Sequence, residues 1–195
     1  EEEALRYLNI VSKKNKVYKT YIGQGFYNSI TPAPILRNIF ENPGWYTSYT
    51  PYQPEIAQGR LEALINYQTM VCDLTGMEIA NASLLDEPTA AAEAMTLAKR
   101  LSKSKSNLFL IDEQCFPQTI NVLKTRAKPL GIDVKIGNPK DMNNEDYFAV
   151  LVQYPGADGV LKNMSSVVES AHGKNALAIF ATDLLALTLI KPPGE

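Results

Sequence analysis

The chain has 195 residues, with 19 Lys and Arg against 21 Asp and Glu for a formal net charge of −2. At roughly 100–200 residues per domain, that length supports one domain or part of a larger one. The charge balance leaves no basic surplus for a nucleic-acid backbone or an anionic membrane, and a hydrophobic share of 45% excludes a disordered chain.

Ala4, Leu5, Leu8 and Val11 share one face at helical spacing, behind three glutamates placed where the helix dipole favours anions. Residues 1 to 14 therefore read as a helix. Thr31-Pro32 supplies a cap and a first-turn proline for a short second helix through Ile35, Leu36, Ile39 and Phe40, which Asn42-Pro43-Gly44 stops. The stretch from Trp45 to Pro54 has four large aromatics and no period. It reads as an ordered loop, whose Tyr46, Tyr49 and Tyr52 either line a cleft with Gln53 and Glu55 or cover a core or subunit surface.

From Glu55 to Leu74 apolar residues recur at three and four, giving the longest helix, with Thr75-Gly76 as its stop. Ala80 to Leu85 reads as a small-residue strand, Asp86-Glu87-Pro88-Thr89 as an acidic helix start, and Ala90 to Leu101 as helix. Beyond a Lys/Ser turn the pattern alternates: strand at Leu108–Ile111, helix at Pro117–Lys128, strands at Ile132–Ile136 and Phe148–Gln153, helix at Asn163–His172, strand at Ala176–Thr182. Such alternation predicts an α/β fold with a mainly parallel sheet and crossover helices. The last strand is expected to leave an open edge that a partner chain covers.

Cys72 and Cys115 form no CxxC or Cys/His set, so no metal site is expected and both read as small buried hydrophobes in a reducing compartment. No apolar run reaches the roughly 18 residues of a membrane-spanning helix. His172 is the single histidine and reads as a helix-end residue rather than a general base. Gly23-Gln24-Gly25 lacks the third glycine of a dinucleotide fingerprint. Asp86-Glu87 reads first as a capping pair; two acids beside Pro88, which has no N–H, make that turn a poor phosphate site. Asp183, at the end of the last strand, is a cap or a ligand contact. With no initiator Met and a Pro192-Pro193-Gly194-Glu195 finish, both ends are expected to be cuts within a longer polypeptide.

The run Tyr49 to Leu64, then Asn81 to Glu87 and Thr89 to Ala94, resembles the P-protein of the glycine cleavage system. The likeness extends through Tyr21-Ile22-Gly23, Pro117-Gln118-Thr119, Gln153-Tyr154-Pro155, Ala181 to Leu187 and Pro192 to Glu195. It implies an incomplete large domain of the aspartate-aminotransferase-like fold (pyridoxal phosphate fold type I), with residues 1–54 as N-terminal helices and aromatic loop and 55–195 as the partial α/β domain.

The resemblance implies a pyridoxal-phosphate-dependent glycine decarboxylase that passes an aminomethyl group to the lipoyl arm of the H-protein. The Schiff-base lysine belongs to the other half of that family's pair, so this chain alone is expected neither to bind cofactor covalently nor to decarboxylate glycine. Tyr49, Tyr52, Gln53 and Glu55 are carried over as pocket-lining positions. Pro88, where the family pattern has Gly, and Phe116, where it has His, read with Asp183 as degenerate site positions. Implied partners are the lysine-bearing half and lipoylated H-protein, in the mitochondrial matrix of a eukaryote or the cytoplasm of a bacterium. The alternative is a catalytically inactive structural subunit of a larger assembly, held by neighbouring subunits.

Overall fold

The computed structural model describes residues 1–46, 53–142 and 144–195. Its centre is a four-stranded, all-parallel sheet of β1 (Leu108–Asp112), β2 (Asp133–Gly137), β3 (Ala149–Tyr154) and β4 (Leu177–Thr182), in the order β2-β1-β3-β4. Phe109 lies between Val134 and Ala149 in register, and Leu151 pairs with Ile179.

The two central strands are near-continuous apolar runs because both their faces are covered. Phe109, Ile111, Ala149 and Leu151 pack under α5 (Glu87–Leu101) and α6 (Pro117–Ala127), which supply Ala91, Ala92, Met95 and Leu123. On the opposite face Leu110, Val150 and Val152 meet Val167 and Ala171 of α7 (Ser165–Gly173). The two edge strands, β2 and β4, are only partly buried. Among the described residues β4 pairs with β3 alone, so the expected open edge is present.

Before this sandwich come α1 (Glu2–Ser12), α2 (Ala33–Ile35), α3 (Pro43–Tyr46) and α4 (Pro54–Thr75). No residue of 1–46 is buried. The second predicted helix starts as α2 but widens into a π turn over Leu36–Phe40, with Glu41 N–H reaching the Leu36 carbonyl at 3.0 Å. The predicted aromatic loop begins differently: Trp45 and Tyr46 sit in α3, where Asn42 Oδ1 accepts from Gly44 N–H at 2.9 Å.

α4 ends as its sequence requires. Gly76 takes φ +69°, a left-handed cap that glycine adopts without steric cost. The C-terminal tail docks there, Gly194 N–H donating to the Thr75 carbonyl at 2.8 Å.

Two expectations fail. Ala80 to Leu85 is not a strand: it has no partner strand, and its Ala80 carbonyl is satisfied by Gln68 Nε2 at 2.6 Å instead. Cys72 is only half-buried because α4 has few core contacts in this chain, whereas Cys115 is buried as expected.

Leu123 is fully buried between α6 and the sheet, so Leu123→Ala is expected to cost about 2–5 kcal/mol in urea denaturation, by lost transfer energy plus the cavity left behind. Leu97→Ala on the exposed side of α5 should change stability by less than about 0.5 kcal/mol.

Candidate functional site

Because all four strands run parallel, their C-terminal ends share one edge, and the buried polar residues among those described lie on the strands and helix that meet there. β1 ends at Asp112, 2% exposed; β3 holds Gln153, 3% exposed; α6 contributes Thr119, fully buried. The half-buried Glu87 opens α5 at the same edge, taking a hydrogen bond from the Thr119 hydroxyl at 3.4 Å.

Asp86 and Glu87 therefore divide their work. Asp86 is the exposed cap whose Oδ1 accepts from Thr89 N–H at 2.8 Å, and its hydrogen bonding to Thr89 holds its carboxyl below the ordinary value. Glu87 turns inward, and burial pushes its carboxyl up against the lowering effect of hydrogen bonds from Thr119 and Gln153. Burial also raises Asp112, despite the Gln114 N–H at 3.0 Å and the nearby Lys162 charge. The Cys115 thiol is raised far more, by burial and then by the charges of Asp112 and Glu87, so it is not a thiolate nucleophile.

Phe116 caps the N-terminus of α6 and is 7% exposed. Its ring is covered by the turn Gly23-Gln24-Gly25, all three residues at positive φ. A Cβ on Gly25 would stand 3.0 Å from Phe116 Cε2, and Gln118 Nε2 ties the turn down through the Gln24 carbonyl at 3.1 Å. Gly25 is thus required twice, by φ +87° and by the ring beneath it.

Asp183 lies at the same edge after β4, exposed, its Oδ1 accepting from Leu185 N–H at 3.0 Å. That geometry makes it a cap for the turn that follows. Pro88 sits in the first turn of α5. Gln53 and Glu55 are exposed at the start of α4, and among the described residues neither has a hydrogen bond to the strand-end cluster. Tyr49 and Tyr52 lie outside the described residues. Asp112, Thr119 and Gln153 were not among the site residues expected from the sequence; for Asp112 and Gln153 the signal available was a polar residue ending or inside an otherwise apolar strand.

The donor set at the α5 turn does not fit a phosphate ester such as that of pyridoxal phosphate. Pro88 offers no N–H, the Thr89 N–H is taken by Asp86 Oδ1, and the Ala90 N–H is taken by the Asp86 carbonyl at 2.9 Å. Two carboxyl groups stand where the phosphate would need cations.

Comparison with known proteins matches residues 1–195 to the family model described as glycine cleavage system P-protein. Curated relatives named glycine dehydrogenase (decarboxylating) include one from Cereibacter sphaeroides, 59% identical over 194 residues, and one from Photobacterium profundum, 55% identical over 195. Each match takes in 100% of this chain and 20% of the relative, so the chain spans about a fifth of those proteins' length. A crystal structure of glycine decarboxylase (P-protein) of the glycine cleavage system in inhibitor-bound form superposes with a TM-score of 0.84 at 33% identity, over 98% of this chain and 45% of that one.

Gly25→Ala is expected to lift the turn from Phe116, at about 1–2 kcal/mol for a left-handed alanine, read as faster amide exchange at Phe26. Asp86, whose folded pKa is lowered, supports α5 above the ordinary aspartate value of 3.8, and that support is lost as pH falls through the folded value. Asp86→Ala should remove this acid-side loss, measured by amide exchange at Thr89 as a function of pH.

Proposed function

Because this chain belongs to the glycine cleavage system P-protein family, we propose that it is part of the non-lysine half of a pyridoxal-phosphate-dependent glycine decarboxylase. The observation that carries this reading is the match of the family model to the chain from end to end. The cofactor is held elsewhere, by the lysine-bearing half, and supplies the electron sink for decarboxylation there. The acidic, donor-poor turn at Asp86–Ala90 and the covered ring of Phe116 support that division, since both work against an anionic, planar group on this side.

This chain's contribution is then to wall the shared pocket and to hold the other half. Gln53 and Glu55, exposed at the start of α4, are the described members of the pocket-lining set, with Tyr49 and Tyr52 completing it. Contact with the other half is supported by exposed apolar residues of 1–46, among them Val17 at 95%, Tyr21 at 89% and Ile30 at 96% exposure. The open edge of β4 is a second candidate contact. Lipoylated H-protein would receive the aminomethyl group, and the bacterial relatives favour the cytoplasm over a mitochondrion. No observation favours the inactive assembly subunit.

The test is reconstitution. The chain alone should release no CO2 from glycine, and the remainder of the polypeptide with lipoylated H-protein should be inactive without it; mixing them should restore release. Restored activity without the chain would overturn the reading. In the intact enzyme Gln53→Ala and Glu55→Ala should each lower kcat/KM for glycine decarboxylation by about tenfold, the worth of one lost hydrogen bond in a pocket wall.

A further inference from the structure

Two buried acceptors at the strand-end edge have no donor. Asp112 is 2% and Gln153 3% exposed, and among the described residues Asp112 Oδ2 and Gln153 Oε1 are both closed to water and without a hydrogen-bond partner. They stand at the ends of neighbouring strands, where the sheet order reverses. β1 leads to α6 on one face and β3 to α7 on the other, so a crevice opens outside their carboxyl ends. Ile111 lies opposite Leu151 in register, which puts the Cα atoms of Asp112 and Gln153 about 6 Å apart by strand spacing and rise.

The donors that the adjoining turns supply are committed elsewhere. Gln114 N–H goes to the other oxygen of Asp112 and Cys115 N–H to the Asp112 carbonyl, each at 3.0 Å. Glu113 N–H is taken by the Gly137 carbonyl, and Ala157 and Asp158 N–H are both taken by Gln114. The Thr119 hydroxyl is given to Glu87 Oε1 at 3.4 Å. Lys162, the cation of the β3–α7 loop, is held by Asp158 Oδ2 at 3.2 Å. What remains at the crevice is an acceptor set of Glu87, Asp112 and Gln153, and a buried acceptor left without a donor costs free energy that the native protein avoids.

We propose that an arginine side chain from a part of the protein outside residues 1–195 seats in this crevice and donates to Gln153 Oε1 and Asp112 Oδ2. The proposal rests on reading this chain as part of a longer decarboxylase, whose relatives it spans for about a fifth of their length. A guanidinium carries five N–H donors in a planar fork, can serve two acceptors on adjacent strands at once, and keeps its charge when taken out of water. Both orphan oxygens sit on terminal torsions that rotate at little cost, so they can turn to meet an incoming group. The same edge that rejects a phosphate ester accepts a cation, because its α5 amides are occupied and its unmatched groups are acceptors. Burial raises the carboxyls of Asp112 and Glu87, so an entering cation meets acids already stripped of water.

The experiment begins with a high-resolution structure of the full-length protein. An arginine nitrogen from outside residues 1–195 is expected within hydrogen-bond distance of both Gln153 Oε1 and Asp112 Oδ2. Water alone, Lys162, any other donor, or two oxygens still unpartnered overturns the proposal. Thermal unfolding of the full-length protein then reads the coupling. Gln153→Met should lower Tm, since it strands a buried guanidinium donor, and replacing the arginine by methionine should lower Tm by an amount that the double variant does not add to. A Tm unchanged or raised in Gln153→Met, or strictly additive losses, overturns the proposal; should Gln153→Met fail to fold, Asp112→Asn completes the same cycle. None of these readouts uses CO2 release, so their failure and the failure of the decarboxylase reading are separate results.

Discussion

β1 and β3 are walled on both faces, by α5 and α6 on one side and by α7 on the other, so their backbone is satisfied by lateral pairing, which here is parallel throughout. Parallel pairing with helical crossovers sends every strand in the same direction. The turns that must change from strand to helix then collect at one edge, and residues far apart in sequence meet there: Glu87, Asp112, Phe116, Thr119 and Gln153. Apolar burial on two faces is what builds the edge, and the edge is what gives those polar residues a common environment.

That environment is unusual in its charge. Edges of this kind commonly bind anions through free N–H groups at helix starts. Here Asp86 occupies the α5 amides with its own side chain and carbonyl, and Pro88 removes one donor outright. Burial then raises the pKa of Glu87 and Asp112 instead of leaving them as exposed anions. The α5 amides are occupied from within the chain, Asp112 Oδ2 and Gln153 Oε1 stay buried without a partner, and the Gly23–Gly25 turn lies against the Phe116 ring.

The first 46 residues obey a different balance. They contain aromatic and aliphatic residues in number, yet none of those is buried; among the described residues Gln118 bonds Gln24 and Phe116 touches Gly25 from the sandwich, while Arg60 of α4 reaches the carbonyls of Gly44 and Trp45 at 3.4 and 3.3 Å. Apolar surface on this scale gains free energy only when covered. α4 repeats the theme, with Ile65 62% and Met70 48% exposed on a helix whose spacing is amphipathic. The chain folds around its sheet and leaves a second apolar surface exposed.

By itself the sequence determined the α/β alternation, the parallel sheet, the Gly76 stop and the Asp86 start, because each rests on local periodicity or on one residue's backbone preference. It also carried the family resemblance. The tertiary structure alone decided that Ala80–Leu85 is irregular, since a strand exists only where another strand pairs with it. It decided that Glu87 faces inward while its neighbour Asp86 caps outward, because adjacent residues at a helix start point in directions that packing against Thr119 and Gln153 selects. It decided as well that Gly25 belongs to Phe116, a contact between residues 91 positions apart (116 − 25) that no local pattern encodes. Local rules fix elements; which polar groups lose their water, and so change their chemistry, is fixed only when the elements come together.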